Sequence, residues 1–222
     1  MITLYCISDV WKQAINICPF TTKVELFMKI NKIDYKKNIS LFNVQTSPTS
    51  SVPWIEHNNN KISESDNIIE YINYTFKLEP PNMSLDELME AKLIKHLMED
   101  NFNWVIKYLR HYYNESYKII ENDIIGSFAG FAKGKRAKII KTCKNHGIGN
   151  LNIETIIHDS KFTLKLLSQK LGTHKYFLKK DKIGLLDTIV FSFLVNLMYS
   201  PFPHDPLYQH INNDPNLENL RN

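Results

Sequence analysis

The chain has 222 residues, enough for one large domain or two small ones with a proper core. Apolar residues make up 43%, which excludes a disordered chain, and only 7 glycines argue against an all-β protein rich in tight turns. The net charge of +4 permits weak attraction to acidic partners and does not mark a nucleic-acid binder. Three cysteines, Cys6, Cys18 and Cys143, are odd in number and widely spaced, so neither a disulfide framework nor a zinc site is expected. The N-terminus lacks a charged region followed by an apolar one, so no signal peptide is expected. The longest apolar run, from Ile189 to Met198, is too short to span a membrane. A reducing, cytoplasmic setting follows as the default expectation.

Taken in order, residues 2–7 read as a first strand, buried on both faces. Residues 8–17 read as a loop carrying Trp11. Phe20, Val24, Phe27 and Met28 recur at spacings of three and four and predict a helix over 19–31, with Asn31 as its end. Pro19 fits its first turn, where a missing N–H has no partner to lose. Residues 34–39 read as a second strand, parallel to the first, which makes a right-handed βαβ unit. A polar loop, 43–51, surrounds Pro48. Trp54 and Ile55 begin a hairpin that turns at the Asn run and returns through Lys61, Ile62 and Ser63. Ser65 reads as the N-cap of a helix with apolar Ile68, Ile69 and Ile72. The order βαβ, then ββα, is that of a thioredoxin-like domain.

Glu79-Pro80-Pro81-Asn82 is a stiff linker and the best domain boundary. The expected division is 1–78, a linker at 79–83, and an all-helical domain over 84–222. Ser84 and Glu87 form a capping box. The helix behind it runs to about Tyr113 with a stripe of Leu88, Leu93, Leu97, Trp104 and Leu109. A basic helix follows, with Lys133, Lys135, Arg136, Lys138, Lys141 and Lys144. As a charge run it reads as a solvated face. Contact with an anionic membrane surface is the functional alternative, and no aromatic ladder supports nucleic acid. Residues 152–171 form another helix, with Ile153, Ile156, Ile157, Phe162, Leu164 and Leu167 apolar and Gly172 as its end. A last helix runs from Leu185 to Met198, after which Pro201 and Pro203 predict an extended tail.

The stretch with the most chemistry is Ile17-Cys18-Pro19-Phe20-Thr21-Thr22-Lys23. Cys18 sits where a loop enters a helix. A thiol there faces unpaired backbone N–H groups and the positive end of the helix dipole, and both favour the reactive thiolate. The plainer reading is a small buried apolar residue. Thr21 stands where a Cys-x-x-Cys motif would have its second thiol.

Together these segments resemble the cytosolic glutathione transferase superfamily. The match is closer to its failed axon connections and metaxin-like branch. Cys18-Pro19-Phe20-Thr21-Thr22-Lys23-Val24-Glu25 is similar to that branch's Ser-Pro-Phe-Cys-x-Lys-x-Glu. Val52-Pro53-Trp54-Ile55-Glu56 and Ile68-Ile69-Glu70-Tyr71-Ile72 resemble its Leu-Pro-Trp-Ile-Glu and Ile-Ile-Glu-Tyr-Leu. His146-Gly147-Ile148-Gly149 and Leu186-Asp187-Thr188-Ile189-Val190-Phe191 resemble its His-Gly-Ile-Gly and Leu-Asp-Ala-x-Val-Phe. Cys-Pro-Phe itself is similar to omega-class transferases and glutaredoxins, whose cysteine forms a mixed disulfide with glutathione.

The resemblance implies glutathione as co-substrate and no metal. It implies a cis Pro53 and a Val52 backbone that pairs with the cysteinyl part of glutathione. It implies that Ser65 and Glu64 hold the γ-glutamyl end, carboxylate and ammonium respectively. Asp187 is implied to be a folding residue, with Gly184 replacing the usual Ser or Thr cap. Cys18 then serves thiol transfer, or conjugation of an apolar electrophile in a pocket lined by Trp11, Tyr108 and Tyr112. Trp104 has core packing as its plainer role. A homodimer is the expected assembly. The alternative function is a non-catalytic, metaxin-like adaptor.

Overall fold

The computed structural model describes residues 1–10, 15–79, 81–113, 117–118, 121, 129–178, 182–198 and 206–218. Two compact units emerge. The first comprises Met1–Ala91 and Lys182–Ser192, and the second Lys92–Asp181 and Phe193–Asn222.

The first unit is built on β1 (Ile2–Cys6). Its alternation buries Ile2, Leu4 and Cys6 and leaves Thr3 and Tyr5 half-covered, so one face is fully buried rather than both. Asp9–Val10 (β2) and Ile15–Asn16 (β3) pair antiparallel, so this stretch is a ribbon and not the expected plain loop. Helix α1 (Pro19–Ile30) ends at Asn31, as its periodicity predicts. It crosses to β4 (Tyr35–Ile39), which lies parallel to β1 with Ile2 opposite Tyr35. The polar loop contains a short helix, α2 (Asn43–Thr46). Asn43 explains it: its Nδ2 donates to the Cys6 carbonyl at 2.8 Å, and its own carbonyl accepts from Trp54 Nε1 at 2.9 Å.

Strands β5 (Trp54–His57) and β6 (Asn60–Ser63) form the expected hairpin, and the sheet order is β4-β1-β5-β6. Tyr5 and Trp54, paired across β1 and β5, stack at 3.7 Å. Helix α3 (Ser65–Phe76) follows. Its N-cap position belongs to Glu64, one residue before the expected Ser65, because the Glu64 backbone lies outside the helical region while its carbonyl already accepts from Ile68. The core joins Ile2, Leu4 and Ile55 of the sheet to Val24, Phe27 and Met28 of α1 and Ile68, Ile69 and Ile72 of α3. This is the thioredoxin-like βαβ-ββα arrangement.

Helix α4 (Leu85–His96) opens with the Ser84–Glu87 capping box, formed by two reciprocal bonds of 2.8 and 3.2 Å. The cut between the two units falls within this helix. The helical run continues through a π segment (Leu97–Phe102), α5 (Asn103–Lys107) and a second π segment (Tyr108–Tyr112). Its buried positions are Ile94, Met98, Phe102, Val105, Ile106, Tyr108, Leu109 and Arg110, so the expected stripe holds at Leu109 and is corrected at Leu88 and Leu93, which are exposed. A spacing of four overshoots a full α-helical turn by about 40°. The wider π turns take up that drift and keep Met98, Phe102 and Ile106 on one side.

In the second unit, α6 (Ala129–His146) carries the basic run. Gly147 ends it at φ +102°, a backbone that side chains disfavour. A 3₁₀ turn (Ile148–Asn150) brings Gly149 against the α6 backbone, where a Cβ would lie 2.9 Å from the Lys144 nitrogen. Both glycines of His-Gly-Ile-Gly therefore have steric causes. Gly149→Ala is expected to cost about 2 kcal/mol, because backbone cannot move aside as a flexible side chain would. Urea unfolding will measure it, and an unchanged midpoint would refute the close approach.

Helix α7 (Ile153–Leu171) is capped by Asn152, which accepts from Thr155 at 2.7 Å, and ends at Gly172. It buries Ile156, Leu164 and Leu167, and exposes Phe162 against expectation. Helix α8 (Leu185–Met198) has the predicted bounds. Asp187, buried, accepts from the Gly184 N–H at 2.8 Å and holds the start of α8, the folding role the resemblance implies. Of the expected extended tail, residues 199–205 lie outside the described residues; from Pro206 the chain is helical and not extended, and α9 (Pro206–Asn212) and α10 (Pro215–Glu218) pack on α7. Asp214 fastens them by accepting from Ser168 at 2.8 Å.

Candidate functional site

Cys18 occupies the N-cap position of α1, with extended backbone at φ −92° and ψ 116°. Pro19 starts the helix behind it. The Cys18 N–H donates to Asn16 Oδ1 at 3.1 Å, and its carbonyl accepts from Thr22 N–H at 3.1 Å. Thr22 Oγ1 lies within hydrogen-bonding reach of both the Asn16 and Cys18 carbonyls. Asn16 is fully buried and is itself held, since its Nδ2 donates to Asp9 Oδ1 at 3.1 Å. Asp9 also accepts from Lys37 of β4. Lys37 reaches Glu25 of α1 at 3.4 Å, and Glu25 accepts from the Tyr35 hydroxyl at 2.8 Å. Burial works against the Lys37 ammonium, but Asp9 and Glu25 outweigh it and raise its pKa. A chain of polar contacts thus runs from the edge strand to the backbone of Cys18.

The three thiols differ. Cys6 is fully buried, and burial pushes its pKa up to about 12. Cys143 is also fully buried and its pKa is raised by burial. Cys18 is half-exposed. Its Sγ donates to the Val52 carbonyl at 3.7 Å. Thr21, in place of a resolving thiol, is buried with its hydroxyl unpartnered.

From Val52 the site continues through neighbouring residues. The Val52–Pro53 bond is cis. Ser51 Oγ donates to Glu64 Oε1 at 2.9 Å. Glu64 holds φ +70° and ψ 128°, a strained conformation for a residue with a side chain, and so directs its carboxylate across the entry to α3. Ser65 follows as the first helical residue and is buried. Asp66, in the same turn, accepts from Lys23 Nζ at 2.8 Å. Lys23 is wholly buried, and a buried ammonium needs such a partner. Cys18, Val52, Pro53, Glu64 and Ser65 therefore lie along one edge of the first unit.

Tyr108 and Tyr112 belong to the second unit, where their rings stack at 4.8 Å. Burial, and then Tyr112, raise the pKa of Tyr108. The Trp104 ring stacks on His146 at 4.1 Å, and the Lys107 ammonium lies over it at 4.2 Å. Trp11 lies outside the described residues. Among the described residues no group of three or more His, Cys, Asp or Glu side chains is placed to hold a metal, and no helix is long and apolar enough to cross a membrane.

Asn16, Asp9 and Lys37 escaped the sequence reading, because a pairing through a short ribbon leaves no periodic trace. Lys23 and Glu25 lie two residues apart, on opposite flanks of the Phe20–Val24–Phe27 stripe, so helical periodicity gives no sign that both are buried.

Residues 19–116 match the glutathione S-transferase N-terminal domain, and residues 161–222 match the glutathione S-transferase C-terminal domain. The Failed axon connections protein of Drosophila melanogaster is 25% identical over 83% of the chain, and metaxin-2 of Mus musculus is 27% identical over 77%. The chain spans 47% of the former's length and 67% of the latter's. Among solved structures, glutathione transferase GSTFuA3 from Phanerochaete chrysosporium aligns with a TM-score of 0.69 at 12% identity, covering 97% of this chain and 91% of that one. Glutathione transferase F7 from Populus trichocarpa aligns with a TM-score of 0.62 at 16% identity, covering 99% and 91%. At such identities these two show the fold alone. With both domains matched in order and metaxin-2 and Failed axon connections as relatives, the chain belongs to the glutathione transferase superfamily, on its metaxin-like side.

Proposed function

We propose that the first unit binds glutathione and that Cys18 performs glutathione-dependent thiol transfer. The observation that carries this reading is the contact of Cys18 Sγ with the Val52 carbonyl, on the same edge as Glu64 and Ser65. Ser65 and the first turn of α3 suit the γ-glutamyl carboxylate, since helix N-termini present free N–H groups. Lys23 offsets the charge of Asp66 at that end. Glu64 suits the ammonium, and the Val52 backbone suits the cysteinyl amide.

In this reaction the Cys18 thiolate attacks the glutathione sulfur of a mixed disulfide. The old S–S bond breaks, and the substrate leaves as a thiolate that takes up a proton. Cys18 is left joined to glutathione. The thiolate of a second glutathione attacks that sulfur, releases Cys18 and departs as oxidised glutathione. The mixed disulfide and one reduced glutathione thus give the free substrate thiol and oxidised glutathione, and no resolving cysteine is required. Conjugation of an electrophile would instead need the glutathione thiolate held beside an apolar pocket.

Calorimetric titration of reduced glutathione tests the binding step. Wild type is expected to bind in the micromolar to low-millimolar range. Glu64→Gln/Ser65→Ala, which keeps the side-chain size at the strained position, is expected to bind at least about tenfold more weakly. Absence of binding to wild type would overturn the reading. It would favour a second one, a non-catalytic adaptor, whose support is that the sequence relatives are metaxin-2 and Failed axon connections while the transferases share the fold at low identity.

A further inference from the structure

The loop that leads to Val52 is rich in hydroxyls: Ser47, Thr49, Ser50 and Ser51 stand around Pro48. Its backbone folds them together. Pro48 suits the second position of a turn that the Ser50 N–H closes on the Ser47 carbonyl at 3.3 Å. Ser50 then takes a left-handed backbone at φ +55°. The Ser47 side chain, buried, accepts from the Thr49 N–H at 3.3 Å and so anchors that residue. Thr49 Oγ1 lies 2.8 Å from Ser51 Oγ, and Ser51 Oγ lies 2.9 Å from Glu64 Oε1.

Counting protons gives this row a direction. A hydroxyl has one proton to donate, and a carboxylate oxygen only accepts. Ser51 gives its proton to Glu64, so in the 2.8 Å contact Thr49 is the donor and Ser51 the acceptor. Both bonds point toward the carboxylate, and each polarises the next. Glu64 is exposed, where a glutamate side chain has many rotamers open to it. Its backbone at φ +70° sets where the side chain starts, and the hydroxyl row sets where the carboxylate ends. We infer that Ser51, oriented by Thr49, is a positioning residue that fixes the Glu64 carboxylate for a ligand ammonium and so makes the site selective for an α-amino group. The inference rests on the glutathione reading, in which Glu64 meets the γ-glutamyl ammonium. Ser51 takes up only part of the acceptor capacity of the carboxylate, and what remains calls for donors from the ligand. An ammonium brings three N–H donors and the opposite charge. A ligand without it keeps its carboxylate for Ser65 and the first turn of α3 and sets nothing against Glu64.

Calorimetric titration with two ligands tests it: reduced glutathione, and glutaryl-cysteinyl-glycine, which is glutathione with its α-amino group replaced by hydrogen. Wild type is expected to prefer glutathione by about 30-fold. Ser51→Ala is expected to bind glutathione about tenfold more weakly and the glutaryl analogue unchanged, so the preference falls to about threefold. Ser51→Thr, which keeps the hydroxyl, should restore it. Thr49→Val should weaken glutathione binding about threefold in wild type and add nothing to Ser51→Ala, because it acts only through Ser51. Thermal unfolding of each variant should match wild type, since the loop hydroxyls at 49 and 51 lie outside the core. Equal weakening of both ligands by Ser51→Ala would reduce Ser51 to a structural role and overturn the inference, while leaving the glutathione reading intact. Unchanged binding of both ligands would do the same, as would a Thr49→Val loss that adds in full to that of Ser51→Ala. Absence of glutathione binding to wild type would overturn the reading and this inference with it.

Discussion

Cys18→Ser protein will lose glutathione-dependent reduction of a mixed disulfide by at least about a thousandfold, because a serine hydroxyl neither ionises near neutral pH nor forms a disulfide. A small disulfide such as that of hydroxyethyl groups, with glutathione and an oxidised-glutathione readout, measures the rate. The surrounding structure sharpens the test. Iodoacetamide should modify Cys18 in the folded chain and reach Cys6 and Cys143 only on unfolding, since both of those are fully buried. Mass spectrometry of the alkylated protein distinguishes the three. Cys18→Ser protein should still bind glutathione, because Ser65, Glu64 and the Val52 backbone are untouched. Retained turnover in Cys18→Ser protein would remove the thiol from the mechanism and leave the binding site standing.

The second large effect is on stability and concerns His111. Its Nδ1 is shut away from solvent with no hydrogen-bond partner. Burial first, and then the cations of Arg110, Arg136 and Lys107, push its pKa down from 6.5 to about 3. Arg136 is held close, donating from Nε to the His111 carbonyl at 2.9 Å and lying over the Tyr117 ring. The folded chain therefore keeps this imidazole neutral. As the pH falls below 6.5 the unfolded chain takes up a proton that the folded chain refuses. Stability present above pH 6.5 is lost progressively toward pH 3. Integrated to about pH 4.5, the loss from this one group is roughly 3 kcal/mol. Urea unfolding of wild type and of His111→Gln at a series of pH values will check it. The variant should lose less stability than wild type over that range, by about that amount. Parallel pH dependences in the two proteins would show that His111 titrates normally.

Much of the first unit was legible in the chain, because its elements announce themselves locally. The βαβ order follows from two strand runs around a helix with a 3–4 periodicity, and the hairpin from an asparagine turn between β-rich runs. What failed had specific causes. The spacing on the long helix reads as a single α-helical face, but this segment has apolar residues on two sides and contains π turns that alter its phase. The sequence sets the cap of α3 one residue late, at Ser65, because Glu64 adopts a positive φ that no sequence pattern forecasts for a glutamate. The tail beyond Pro203 was expected to be extended, yet Pro206 and Pro215 each sit at the first position of a helix, where proline is tolerated. At the candidate site, the thiol, the Val-Pro pair and the Glu-Ser pair were visible as motifs. The polar contacts behind them were not, since Lys37 and Asp9 are 28 residues apart in the chain and meet only through the sheet.

That last arrangement bears on any attempt to transplant the nucleophile. Grafting Cys-Pro-Phe onto another scaffold of this topology would carry the reactive atom and leave its aim behind. The direction of the Cys18 thiol is set by Asn16 through its backbone, by Asp9 through Asn16, and finally by a lysine on the opposite strand edge. A recipient without an equivalent of that lysine would inherit a cysteine with the right neighbours in sequence and the wrong bearing in space.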